Sequence, residues 1–260
     1  MTIKIEVLGC GAAAGVPMVS KGWGKCNPDN PKNYRTRSSI YLNVNGTGIL
    51  IDTSPDLRTQ LLQAKTFQTI DGVLFTHLHA DHTDGVNELR EINRINNCSL
   101  PIFSDIETIK SIKERFWYAF DNINLDKEPL YHVLLTENII EPYKSFNFKG
   151  VNILPLLQDH GYMNSLGFRI GDFAYSTDVV RMPDATINAL KGIKVWIVGC
   201  LDFGQHPTHA GVEQVLEWVN IIKPEKVYLT HMSIGMDYDY LCNFLPENIR
   251  PAYDGMSLEL

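Results

Sequence analysis

Seven consecutive residues, Thr76-His77-Leu78-His79-Ala80-Asp81-His82, carry three imidazoles and one carboxylate. Imidazole and carboxylate together suit Zn, Mn or Fe. On an extended segment, residues two apart share a face, so His77 and His79 can converge on one ion. A turn after them lets Asp81 and His82 face a second ion beside the first. Two ions roughly 3.5–4 Å apart can clamp both the attacking and the leaving oxygen of a displacement. A lone histidine is usually a core or surface residue. Three histidines around a carboxylate in one short stretch are hard to explain as a surface loop.

Four ligands do not complete two metal sites. Further candidates are His160 in Gln158-Asp-His-Gly161, Asp178 in Tyr175-Ser-Thr-Asp178 and His231 in Tyr228-Leu-Thr-His231. All three follow apolar runs that read as strands, and strand ends are where a rigid sheet presents side chains.

The elements that must position these residues are visible as periodicities. Ile3, Ile5 and Val7 alternate with polar residues, as in a half-buried strand. A glycine-rich turn (Gly9, Gly11, Gly15) and a long irregular stretch to about Arg37 follow, and a loop of that length inside a compact unit is commonly functional. Residues 39–44 and 48–52 flank Asn45-Gly46, which predicts a hairpin. Helical spacing is expected at 55–64 (Leu57, Leu61, Leu62), 86–95, 107–117, 184–191, 211–222 and 237–244. Strands are expected at 72–76, 151–156, 166–170, 172–176, 194–199 and 226–230. Phe116-Trp-Tyr118 reads as packing at a helix end, and Glu88, Arg90 and Glu91 as a solvent face. Hairpins mixed with helical crossovers predict sheets covered by helices, and the whole of 1–260 reads as one domain of two β-rich halves.

Bulk properties narrow the function classes. The chain has 260 residues, 44% hydrophobic and 20% charged, long enough to fold on its own core. Its formal net charge of -7 argues against general nucleic-acid binding but leaves room for a small anionic substrate at a local basic site. The five cysteines are scattered without a CxxC pair, which predicts free thiols in a reducing compartment. The first residues read directly as a strand and not as a signal peptide, and no apolar run reaches membrane-spanning length. A cytoplasmic location is the expectation, with no membrane partner. The oligomeric state stays open, a homodimer among the options.

The motif HxHxDH after a strand, with a later His, Asp and His, resembles the metallo-β-lactamase superfamily. That resemblance implies an α+β fold, an αββα sandwich of two mixed sheets flanked by helices with a dinuclear centre at one edge. It implies that His77, His79 and His160 hold one metal, that Asp81, His82 and His231 hold the other, and that Asp178 bridges them. Gly9-Cys-Gly-Ala-Ala-Ala-Gly-Val-Pro17, Ser38 and Ser39, Leu50-Ile-Asp52, Leu229-Thr-His231 and Tyr253-Asp-Gly-Met256 are similar to the phosphoribosyl cyclic phosphodiesterase branch, itself similar to transfer-RNA 3′-processing endonucleases. Members of that branch can carry a structural zinc held by clustered cysteines in the first loop and a histidine soon after the last ligand. Here the loop keeps only Cys26, and Ile234 stands three residues after His231, so no structural zinc is expected. Cys10 and Cys26 read as small buried groups or loop thiols.

These residues predict a metal-dependent hydrolase of phosphodiesters, acting on a small cyclic or nucleotide-like phosphate. Its nucleophile would be a hydroxide bridging two divalent ions, Zn or Mn, since metal binding lowers the pKa of water towards ~7. His209, in His206-Pro-Thr-His209, is the candidate to serve the phosphate or leaving oxygen, the matching histidine in that branch being thought to act there. Its other reading is a helix-start residue. Asp52 could orient a ligating histidine or merely cap a turn before Pro55. Lys21, Lys25, Lys32, Arg35 and Arg37 outnumber Asp29 in the first loop and could steer phosphate, Arg37 above all, or could be a solvated surface. Competing functions are a transfer-RNA 3′-end endonuclease, whose long RNA-binding arm has no obvious counterpart here, a thioester or lactam hydrolase, and a non-catalytic small-molecule carrier.

Overall fold

The structure, a computed structural model, describes residues 1–120 and 132–260. Fourteen strands are formed among them: β1 Ile3–Gly9, β2 Ser39–Val44, β3 Thr47–Ile51, β4 Gly72–Leu74, β5 Leu100–Ser104, β6 Leu135–Ile139, β7 Phe146–Phe148, β8 Val151–Asp159, β9 Asn164–Ile170, β10 Phe173–Ser176, β11 Val195–Gly199, β12 Lys226–Thr230, β13 Ile249–Pro251 and β14 Met256–Glu259. They make two seven-stranded sheets, in the orders β14-β1-β2-β3-β4-β5-β6 and β7-β8-β9-β10-β11-β12-β13. Each sheet runs through three antiparallel pairings and then three parallel ones. The two halves therefore repeat one pattern, and β3 and β10 hold equivalent places in it.

Side-chain alternation decides which face each strand buries. Ile40, Leu42 and Val44 on β2 and Ile49 and Ile51 on β3 pack into a core that also takes Ile153, Phe168, Phe173, Tyr175 and Trp196 from the other sheet. Tyr41 and Leu50, between them in sequence, point the opposite way onto Leu57, Leu89, Ile92, Ile109 and Ile112 of the covering helices. On the far side the Val212–Ile222 helix packs Val212, Val215, Val219 and Ile222 against the second sheet. The result is the four-layer sandwich of two mixed sheets flanked by helices. Each such apolar side chain stabilises by roughly 1.5–3 kcal/mol when fully buried. No described helix is long and apolar enough to cross a membrane.

Local signals were mostly legible. Asn45 (φ 51°) and Gly46 (φ 93°) make the turn between Val44 and Thr47, the left-handed pair that a two-residue hairpin demands. The expected helices appear as Leu57–Gln63, Leu89–Asn96, Ile106–Arg115, Asp184–Leu190, Val212–Ile222 and Tyr238–Phe244. Three details differ. Val86–Glu88 is a 3-10 turn ahead of its helix. Leu62 is 71% exposed, so the apolar stripe of its helix rests on Leu57 and Leu61. Trp117, expected to pack, is 68% exposed, while Phe116 is buried. Strands β5, β6, β7, β13 and β14 carried too few alternations to be seen in the sequence. They form because neighbours offer them an edge.

Two polar groups anchor the long first loop. Arg35, 1% exposed, donates to the carbonyls of Met236 (2.6 Å) and Ser233 (3.3 Å) and to Asn33 Oδ1 (3.2 Å). Its charge therefore serves the interior and does not steer ligands from the surface. Asp254 is the second anchor. Its Oδ1 accepts from the Cys10 N–H (3.0 Å) and thiol (3.4 Å), and its Oδ2 from the Thr36 N–H and hydroxyl (both 2.7 Å). Cys10 and Ala12 in turn pair with Met232, the residue after His231. Burial pushes the Asp254 carboxyl up to about 6, against the pull of its four donors.

Asp254→Ala should cost roughly 2–4 kcal/mol, because two buried N–H groups lose their acceptor. Since the folded value lies above the ordinary one, the folded chain holds the extra proton between roughly pH 4 and 6, and this group's stabilisation falls as pH rises through that window. The gap in melting temperature between wild type and variant should be wider at pH 4.5 than at pH 7. A gap that widens towards pH 7 would mean that the donors outweigh burial.

Candidate metal centre

Every sequence-predicted ligand sits just past a strand, and so does Asp52, expected to orient one of them. Asp52 follows β3, His77–His82 follow β4, His160 follows β8, Asp178 follows β10 and His231 follows β12. Three of them adopt left-handed backbone: Asp52 (φ 64°), Asp178 (φ 51°) and His231 (φ 55°). Such a conformation is uncommon for residues with a Cβ and clusters at functional sites. Here it breaks each strand and turns the side chain towards the sheet edge. Asp52 and Asp178 do so at the equivalent positions of the two halves.

The side chains meet as two groups that could each hold a cation: His77, His79, His160 and Asp178; and Asp81, His82, Asp178 and His231. In the first, His79 Nδ1 lies 2.9 Å from His77 Nε2 and 3.3 Å from His160 Nε2, and Asp178 Oδ2 lies 3.7 and 3.6 Å from those Nε2 atoms. In the second, His82 Nε2 is 3.2 Å from both Asp81 Oδ2 and Asp178 Oδ1, and His231 Nε2 is 3.4 and 3.2 Å from the same two oxygens. Asp178 thus presents one oxygen to each group.

These spacings fit a metal better than a hydrogen-bond network. Ligands ~2.1 Å from one tetrahedral ion stand ~3.4 Å apart, close to what is seen. His82 Nε2 is buried with no hydrogen-bond partner, although burial of an unpaired polar atom is costly. Nitrogen and carboxylate lone pairs facing one point repel unless a cation lies between them. The electrostatics agree. Burial alone would lower the His82 imidazole, but the carboxylates of Asp178, Asp81 and Asp52 raise it well above its usual range. Burial would raise Asp178 and Asp81, yet histidines (His231, His82 and His77 for Asp178; His82 and His231 for Asp81) hold both below the usual carboxylate range. Burial lowers His77 and His79, which keeps each imidazole neutral, with one ring nitrogen free to bind a cation.

The ligands are themselves held. Asp52 is wholly buried. It accepts from the Thr76 N–H and hydroxyl (both 2.8 Å) and pairs with His82 Nδ1 (2.7 Å), which directs His82 Nε2 at the site. His160 Nδ1 donates to the Thr208 carbonyl (2.8 Å), leaving Nε2 inward. His77 Nδ1 meets the Thr76 hydroxyl (3.0 Å). The roles of Thr76 and of the Thr208 carbonyl escaped sequence reasoning. A threonine before the first histidine was a weak signal, and a backbone carbonyl has none.

His209 stands beside the ligands, with Nδ1 3.8 Å from Asp178 Oδ2 and its ring 4.8 and 4.9 Å from those of His160 and His231. Burial, against the opposing pull of Asp178, lowers its imidazole to about 3. His206 is exposed, with its ring 5.2 Å from that of His209. Arg37 is not brought into either group, and its guanidinium pairs with Asp56 (2.9 Å). Lys32 is taken up by the Tyr238 hydroxyl (3.2 Å).

The family model for a beta-lactamase superfamily domain matches residues 47–232. An octanoyltransferase of Porphyromonas gingivalis is 31% identical over 98% of the chain, which spans about half the length of that relative (51%). A ribonuclease Z of Archaeoglobus fulgidus is 27% identical over 54% of the chain and 44% of its own length. Among solved structures, a diphosphatase from the PhnP family superposes with a TM-score of 0.90 at 28% identity, covering 100% of this chain and 98% of the other.

Asp52→Asn should leave the fold in place but lower divalent-metal affinity by roughly 10–100-fold, as loss of a carboxylate that orients a ligating histidine does. Isothermal titration with Zn and Mn would measure it. Unchanged affinity would leave Asp52 with only its turn-capping role.

Proposed function

The chain belongs to the beta-lactamase superfamily domain family, and on that premise we propose that it is a metal-dependent hydrolase of phosphodiesters working with two divalent ions, Zn or Mn. The observation that carries this reading is the division of Asp178 between two complete ligand groups, with His209 alongside. A single structural ion would need one group and no neighbouring imidazole. A small-molecule carrier would not need a full set of seven ligands. The likeness to a PhnP-family diphosphatase supports phosphoester chemistry.

When bound, the ions would supply Lewis acidity, activating water and neutralising charge on phosphoryl oxygens. His77, His79 and His160 would hold one, Asp81, His82 and His231 the other, and Asp178 would set their separation. The chain's own groups do the rest. Thr76 and Asp52 keep His82 from rotating, and the Thr208 carbonyl keeps His160 in one tautomer. His209, neutral at physiological pH, can donate one N–H to a phosphoryl or leaving oxygen without repelling the cations beside it. The small anionic substrate, and the cytoplasmic, non-membrane setting expected for it, belong to the same proposal.

Two equivalents of Zn or Mn should bind per chain, and the loaded protein should turn over bis-p-nitrophenyl phosphate. His82→Ala and Asp178→Ala should abolish turnover in folded protein, and near-wild-type activity in either would remove the two-ion reading. His209→Ala should keep both metals by elemental analysis while slowing kcat by roughly 10²–10⁴. An unchanged rate would cancel that role.

A further inference from the structure

We propose that the phosphodiester reading can be narrowed to substrates bearing a planar heteroaromatic group, a nucleobase, which stacks in a cavity walled by Phe203 and Tyr240. The inference rests on that reading and adds a subsite to it.

Residues 202–209 form a loop whose neck is tied to the metal centre from both sides. Leu201 and Ala210 pair across the neck (2.9 Å). The Ala210 N–H donates to the carbonyl of Val179, next to Asp178 (2.7 Å). On the other side the Ser233 N–H donates to Leu201 (2.9 Å), and its hydroxyl to Asp202 Oδ2 (2.7 Å), two residues past His231. His209 closes the loop at the ligands, and Phe203 opens it. Phe203 lines two cavities, one of about 440 Å³ that also takes His206, and one of about 640 Å³. A loop anchored next to Asp178 and His231 therefore carries the phosphate-facing imidazole at one end and an aromatic wall at the other.

The larger cavity has the chemistry of a base-binding site. Two rings line it, Phe203 and Tyr240, and Phe244 packs against both. Phe203 meets Tyr240 and Phe244 edge-on at 5.7 and 5.4 Å, and those two stack at 5.9 Å. Tyr240 and Phe244 are 56% and 52% exposed, so their neighbours leave ring surface open to a ligand. The remaining lining is Lys25, Cys26, Asn27, Gly235 and Asp237. Asp237 is already engaged, accepting from the Asn27 N–H, the Asn33 amide and the Tyr240 N–H. That disfavours a further metal site or a cationic ligand there. Lys25, an exposed cation that also lines the cavity, makes no ion pair among the described residues. Aromatic faces with one cation suit a base attached to a phosphate. The volume is within the ~300–1,000 Å³ usual for small-molecule sites.

The test is binding to metal-loaded protein, by titration calorimetry, of AMP, ribose 5-phosphate and octyl phosphate. AMP should bind about 5–150-fold more tightly than ribose 5-phosphate, the range expected for stacking one base. Tyr240→Ala and Phe203→Ala should erase that ratio while leaving ribose 5-phosphate affinity unchanged, and Tyr240→Phe should retain it. Equal affinities for AMP and ribose 5-phosphate would overturn the subsite while the phosphodiester reading stands. So would octyl phosphate gaining as much as AMP, which would mark a general apolar slot. Failure of all three to bind, with no diester turned over, would remove the parent reading and the subsite together.

Discussion

Electrostatic frustration of a kind that a bound cation would relieve is the constraint on which the rest depends. Five imidazoles and two carboxylates aim their lone pairs at two points, separated by the two oxygens of Asp178. In a water-filled cleft such a cluster would spread apart. Here His77, His82, His160, Asp178 and His231 are buried, and each is pinned by backbone or by a partner. Burial gives the convergence its force, because a low-dielectric surrounding strengthens both the repulsion between ligands and their attraction for a positive ion.

That rigidity comes from the sheets and from how they end. Asp52, Asp178 and His231 leave their strands in left-handed conformation, which costs about 1–3 kcal/mol each and survives only where the surroundings hold it. The repeated order of three antiparallel and three parallel pairings brings two such exits, after β3 and β10, to one edge. One of the two aspartates, Asp178, offers an oxygen to each of the two candidate ligand groups. Its counterpart, Asp52, became the residue that aims His82. The same device yields different roles because Asp178 faces the cluster of imidazoles, whereas Asp52 lies behind one of them.

The loops complete the site by polar anchoring. Asp254 grips Cys10 and Thr36, and Cys10 and Ala12 hold Met232 beside His231. Arg35 binds the same segment from the first loop. A ligand at a strand end is thus tied to the N-terminal loop and, through Asp254, to the turn before β14. This explains why Gly9-Cys10-Gly11 and Tyr253-Asp254-Gly255, far apart in sequence and outside both ligand groups, bear on the same centre.

Much of this was legible without coordinates, for identifiable reasons. The His77–His82 cluster is local, so spacing alone revealed it. The Asn45-Gly46 hairpin and the helical stripes rest on near-neighbour periodicity in the same way. Strand-end positions marked His160, Asp178 and His231 as candidates. Tertiary structure alone decided what depends on distant partners. It showed Asp178 offering one oxygen to each ligand group, Asp52 bonded to His82, Arg35 spent on internal contacts and Arg37 paired with Asp56. It also set Phe203 beside Tyr240. Residue types and periods in the chain determine which groups can bind metal and which segments are strands. Which of those groups share a point in space is a property of sheet order and strand-end geometry, and no local pattern encodes it.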